Sequence, residues 1–222
     1  RVINDVGLDQ NRYPPRQAMW FINSNKNEGK RPDAIQDGHS ATDELLRIYR
    51  AYEEVCQRAG LVDFAEILLR THEMLLRHAE LLQHYRQRFG HILVDEFQDT
   101  NAIQYAFVRV LAGDTGCVLV VGDDDQSIYG WRGARVENVQ HFLRDFAGAQ
   151  TIRLEQNYRS TANILLAANA VIANNPDRMG KRLWTEDVDG EPIEVTTLAR
   201  TLAEALAGAG IEVGFLDEVS EP

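Results

Sequence analysis

The sequence predicts an α/β fold in which an all-helical region precedes a parallel sheet covered by helices. Three observations predict it. Residues 1–90 repeat apolar side chains at helical spacing. After Gly90, short continuous apolar runs alternate with helical stretches, the pattern of a parallel sheet buried on both faces. Two of those runs end in clustered acids, and open α/β sheets bind ligands at the carboxyl ends of strands.

The elements follow in order. Pro14-Pro15 opens a helix, because proline fits the first helical turn, and Met19, Trp20, Phe21 and Ile22 give it an apolar face. Asn23 to Pro32 is polar and reads as a loop. Ser40 is a good N-cap, with Asp43 in the first turn. Leu45, Leu46, Ile48, Tyr49, Tyr52, Val55 and Cys56 then recur at helical spacing, and Gly60 ends that helix. Asp63 starts another, and Ala79 to Phe89 is a fourth. Ile92-Leu93-Val94 and Cys117-Val118-Leu119-Val120-Val121 read as strands, and Thr151 to Glu155 as a third. Helices are expected over 102–111, 136–146 and 160–174. A turn at Asp187 to Gly190 precedes an expected strand, 192–197, and residues 198–207 and 211–216 read as helix, then strand.

Composition narrows the class. The chain has 222 residues, 44% hydrophobic and 26% charged, which excludes disordered and fibrous classes. No apolar run approaches a membrane span, and no secretory leader opens the chain, so no membrane association and a cytoplasmic location are expected. Two cysteines, Cys56 and Cys117, are too few for a disulfide framework or a zinc site. The net charge is −11, and residues 91–222 carry all of it. Taken alone, that balance argues against nucleic acid as a partner.

The strand ends carry the chemistry. An apolar strand followed by Asp95-Glu96 is the pattern of a Walker B element. There the Asp holds Mg²⁺ through hard oxygen and the Glu orients and deprotonates an attacking water. The pair alone could equally be two solvated acids. Asp123, Asp124 and Asp125 follow the second strand. Local capping is expected of some of them, and none is assigned to metal.

The full strings are longer. Ile92-Leu93-Val94-Asp95-Glu96-Phe97-Gln98-Asp99-Thr100-Asn101 comes first. Val121-Gly122-Asp123-Asp124-Asp125-Gln126-Ser127-Ile128-Tyr129-Gly130-Trp131-Arg132-Gly133-Ala134 comes second, and Leu154-Glu155-Gln156-Asn157-Tyr158-Arg159-Ser160 third. In this order they resemble motifs II, III and IV of superfamily I DNA helicases of the UvrD/PcrA/Rep group. The likeness runs from about Arg12 to Ile193.

That resemblance implies a P-loop NTPase (RecA-like) core that uses ATP and Mg²⁺. It implies Asp95 as the metal carboxylate and Glu96 as the catalytic acid/base. Gln126 would sense the γ-phosphate. Trp131 would stack on a base of single-stranded DNA, with Tyr129 and Arg132 beside it. Tyr158 would pack on adenine, and Arg159 would reach the γ-phosphate as an arginine finger. Asp63 and Phe64 also match a family position, where core packing and DNA contact are both open. The implied activity is 3′→5′ unwinding in DNA repair, on single-stranded and partly duplex DNA, with repair proteins as partners.

The resemblance is incomplete. No Gly-x-x-x-x-Gly-Lys-[Ser/Thr] occurs, so the phosphate cradle is absent, as are motifs V and VI. The chain therefore reads as an internal segment. Residues 1–89 would be the helical insertion 1B, 90–155 the second part of ATPase domain 1A, and 156–222 the start of domain 2A, with a divergent tail at 194–222. The 222 residues alone are expected not to hydrolyse ATP. Two alternatives stand beside the motor: a non-catalytic DNA- or partner-binding fragment, and a segment of a related nuclease-helicase subunit.

Overall fold

A computed structural model describes residues 1–35, 40–114, 116–175 and 178–187. The chain forms two compact units, Arg1–Ala147 and Gly148–Pro222. The expectations for 192–197, 198–207 and 211–216, and for the Asp187–Gly190 turn beyond Asp187, lie outside the described residues, as does the Ser40 side chain.

The first unit opens with α1 (Val2–Asp5), α2 (Pro15–Asn27), α3 (Ser40–Ala59), α4 (Phe64–Arg77) and α5 (Ala79–Arg88). Ile3, Tyr13, Ala18 and Ile48 form one apolar cluster among them. Gly60 ends α3 with φ +65°, and the Leu61 N–H returns to the Cys56 carbonyl at 2.9 Å. A left-handed glycine permits that closure. The Asp63 carboxylate caps α4, accepting from the Glu66 N–H at 2.6 Å.

The polar stretch after Ile22 is not a loop up to Asn27. It continues α2, because Lys26 turns inward. Its side chain is 2% exposed, with Nζ 2.7 Å from Asp63 Oδ2 and 2.9 Å from Glu66 Oε2. Tyr52 donates to the same Asp63 oxygen at 2.9 Å. Arg31 lays its guanidinium fork on Glu66 and Glu73 at 2.8–2.9 Å and also pairs with Glu53. A buried charge is tolerable only when paired and hydrogen-bonded, so this network ties α2, α3 and α4 together.

Then come β1 (His91–Val94), α6 (Ala102–Ala112), β2 (Cys117–Val120) and α7 (Asn138–Asp145). The strands pair in parallel, with Val94 opposite Val120. Val94, Val118 and Val120 pack on Phe97, on Tyr105 of α6 and on Phe142 of α7. Phe97 meets both aromatic rings edge-on, at 6.0 and 5.7 Å between centroids. Both helices thus lie on one face of the sheet. Among the described residues the other face is open, and Leu93 is 72% exposed. The expectation of a sheet covered on both faces is corrected accordingly.

The second unit holds α8 (Ala162–Ile172), with Leu165 and Ala167 buried. The expected third strand does not form. Among the described residues no neighbouring strand bonds to 151–155, and its two apolar side chains, Ile152 and Leu154, are exposed. One bridge remains, Gln156 to Trp184, with Trp184 N–H donating to the Glu155 carbonyl at 3.0 Å. No described helix is long and apolar enough to cross a membrane.

The ion network predicts an acid response. Burial opposes ionisation of Glu66, but hydrogen bonds from Arg31 and Lys26 outweigh it and hold the carboxyl down to about 2. Asp63 and Glu73 are lowered as well. A lowered carboxylate contributes stability above its unfolded value, about 4.3, and loses it as pH falls towards the folded value. Urea unfolding of the chain should therefore weaken steadily from pH 4.5 to 2. Glu66→Gln should make that slope shallower and lower stability at pH 7 by about 3 kcal/mol. An unchanged slope would contradict the ionised network.

Candidate functional site

The parallel register brings two strand ends to one place. The ladder continues past β1 and β2: Val121 N–H donates to the Val94 carbonyl at 2.8 Å, and Phe97 N–H to the Val121 carbonyl at 2.9 Å. Asp95-Glu96 and Gly122-Asp123 therefore leave the sheet side by side. Asp95 and Glu96 are exposed, while the next two residues, Phe97 and Gln98, are buried. The chain turns inward at Glu96, which has φ +48° and ψ +44°. It is the one non-glycine residue with positive φ among the described residues. A left-handed backbone is costly for a residue with a Cβ.

Gln98 joins the two strand ends. Its Nε2 donates to Glu96 Oε2 at 2.8 Å, and its Oε1 accepts from the Asp123 N–H at 2.9 Å. Gln126 Nε2 in turn donates to Asp123 Oδ2 at 2.7 Å. One hydrogen-bonded line thus runs Glu96–Gln98–Asp123–Gln126. Gln98 is not singled out by the sequence reading. It is one of four consecutive polar residues, Gln98 to Asn101, so its residue type alone did not set it apart.

Gly122 makes the approach possible. A Cβ there would stand 2.7 Å from Gln98 Oε1 and 3.2 Å from the Phe97 nitrogen. Asp123 also accepts from the Asp125 N–H at 3.0 Å, capping a 3-10 turn at Asp124–Gln126. The Asp123, Asp124 and Asp125 carboxylates lie within 4.8 Å of one another. Asp123 thus serves local geometry, as expected of some of these acids.

A loop of exposed aromatics follows. Trp131 is 69% exposed, so it is no core residue. Tyr129 stands 6.4 Å from it between centroids, at 52°. The Arg132 guanidinium lies over both rings, 4.5 Å from Trp131 and 5.1 Å from Tyr129. Such stacking fixes the guanidinium and leaves apolar ring surface to solvent. Phe64, 92% exposed at the start of α4, is likewise not core. Asp63 beside it is occupied by Lys26, Tyr52 and its own helix.

In the second unit, Asn157 Oδ1 accepts from the Arg159 and Ser160 N–H groups at 2.9 and 2.7 Å. This turn presents Tyr158, 80% exposed, and exposed Arg159. Tyr158 donates its hydroxyl to Gln156 Oε1 at 2.8 Å. Asp95, Glu96, Gln126, Tyr129, Trp131 and Arg132 thus belong to the first unit, and Tyr158 and Arg159 to the second.

The donor chemistry can be tested against the expected ligands. Asp95 and Glu96 offer exposed hard oxygens at a strand end, a set that suits Mg²⁺. The aromatic loop offers ring faces and one cation, which suit an unstacked nucleobase and its phosphate. No loop of the Gly-x-x-x-x-Gly-Lys type is present in the 222 residues.

A family model described as the UvrD/REP helicase N-terminal domain matches residues 2–147. A second, the UvrD-like helicase C-terminal domain, matches residues 152–209. DNA helicase II of Salmonella typhimurium is 65% identical over 206 residues, 92% of this chain and 29% of that protein. DNA helicase II of Escherichia coli is 63% identical over the same shares. ATP-dependent DNA helicase PcrA of Leuconostoc citreum is 45% identical over 195 residues, 87% of this chain and 26% of its own. The chain spans less than a third of the length of these curated relatives.

The close approach of Gly122 sets a test. Gly122→Ala should push Gln98 from its seat and lower stability by about 1–3 kcal/mol in thermal denaturation. Combined with Gln98→Ala, the loss should be less than additive, because both changes act on one contact.

Proposed function

Because the chain belongs to the UvrD/REP helicase family, we propose that it is the part of an ATP-dependent DNA helicase that carries the strand-end carboxylates and the single-strand contact. The observation that carries this reading is the line Glu96–Gln98–Asp123–Gln126, which leads from the carboxylates into the loop bearing Trp131. In this reading the parent motor moves 3′ to 5′ on single-stranded DNA and unwinds duplex during repair. Residues 1–89 form its helical insertion, 90–155 part of its first motor domain, and 156–222 the start of the second.

Each side chain has a task. Asp95 would hold Mg²⁺, which supplies charge neutralisation to a transferring phosphoryl group. Glu96 accepts the proton of the attacking water, and Gln98 fixes the direction in which its carboxylate points. Gln126, held by Asp123, reads whether a γ-phosphate is present. Its neighbours Tyr129, Trp131 and Arg132 follow it by three to six residues, so a shift at Gln126 is passed along a short segment. Tyr158 packs on adenine, and Arg159 offers its guanidinium to the γ-phosphate.

Base stacking suits a motor that moves along any sequence, since every base has a π-face. The net charge of −11 does not oppose this. Asp95, Glu96 and Asp123–Asp125 account for part of it, and many of the other acids fall between Glu186 and Glu221. No Gly-x-x-x-x-Gly-Lys cradle lies within the 222 residues, so by themselves they are expected to bind DNA without turning over ATP.

Two measurements test the reading. Oligo(dT) should quench the tryptophan fluorescence of the chain at low salt and lose affinity as salt rises. Trp131→Ala should weaken that binding by roughly tenfold. The chain alone should show no ATP turnover. Robust turnover abolished by Glu96→Gln would refute that expectation, and absence of quenching would refute the strand contact.

A further inference from the structure

The aromatic loop has little holding it from within. None of residues 127–134 is buried, and Ile128 and Trp131 both face solvent. Its backbone bonds are local: Arg132 N–H to the Tyr129 carbonyl at 2.9 Å, Gly133 N–H to that of Gly130 at 2.9 Å. Its orientation must therefore come from its two ends. The leading end is the Asp123–Gln98 contact already described.

The trailing end is fixed to α2. Gly133, with φ +85°, approaches Asn27 and Asn101 so closely that a Cβ on it would touch both at 3.9 Å. Arg135 donates its N–H to the Thr100 carbonyl at 2.9 Å, and its guanidinium pairs with the Glu28 carboxylate. Glu28 is the C-cap of α2, two residues beyond buried Lys26. Asn138 locks the same segment, donating to the Thr100 carbonyl at 2.9 Å and to its hydroxyl at 3.0 Å.

We propose that Glu28 and Arg135 are positioning residues for nucleic-acid contact: their ion pair clamps the Tyr129–Trp131–Arg132 platform to the end of α2. The proposal rests on the reading of Trp131 as a strand contact. Neither residue touches the strand. Lys26 anchors the helix end through its own burial, so the clamp has a rigid base. The pair is itself partly exposed, with side-chain exposures of 25% for Glu28 and 42% for Arg135, so it can be cut without opening the core.

The test uses the 222-residue chain and two readouts. Hydrogen exchange followed by mass spectrometry reports the platform without DNA. Glu28→Gln and Arg135→Gln should each speed exchange in residues 127–137 and leave β1 and β2 unchanged. Fluorescence titration with oligo(dT) should show roughly two- to fivefold weaker binding in both variants. The exchanged pair, Glu28→Arg with Arg135→Glu, should recover both properties. Unaltered exchange in both single variants overturns the clamp. Weaker binding for Arg135→Gln alone, with no rescue by the swap, also overturns it and makes Arg135 a direct phosphate contact. If exchange responds while the wild-type chain binds no oligonucleotide, the clamp stands and the strand contact fails.

Discussion

The structure depends on a lysine taken out of water. Lys26 is buried at the end of α2, and its ammonium is matched by Asp63 and Glu66. An unmatched charge in that position would cost several kcal/mol, so the three residues must stay together. Meeting that demand fixes α2 on α4. Helix α4 in turn packs on α6, which starts from a reciprocal cap between Asn101 and Gln104 directly after the strand-end acids. A charge-pairing requirement in the helical region is thus transmitted, by contact, to the carboxyl end of the sheet.

The site itself separates rigid support from exposed chemistry. Phe97, Gln98 and Asn138 are buried and bonded. Asp95, Glu96, Trp131 and Arg132 stand in solvent immediately beside them. Asp95 and Glu96 are placed by buried Phe97 and Gln98 one or two residues away, and the aromatic loop by contacts at its two ends. A short hydrogen-bonded line then suffices to link the carboxylates with the aromatic loop, without any large moving element.

Much of this was legible in the sequence. The strand-end acids stand out because an apolar run stops at them, and the glycine and arginine beside Trp131 argue against a core position for it. Gly60 and Asp63 declare the α3–α4 junction through local backbone chemistry. What escaped reading is non-local. Lys26 sits in a stretch whose polarity suggests a loop, and its partners lie 37 and 40 residues away. Gln98 earns notice only through a backbone N–H 25 residues on. Residues 151–155 have strand-like side chains, but a strand is a property of a pair, and no described segment completes the ladder.

The left-handed backbone at Glu96 has an evolutionary side. A glycine there would relieve strain of about 1 kcal/mol, so a change that eases the local backbone is also one that deletes the proposed base. Directed evolution that rewards only heat resistance would drift towards that loss. Libraries built on this scaffold need a selection for function at that codon, or the carboxylate will be traded away unnoticed.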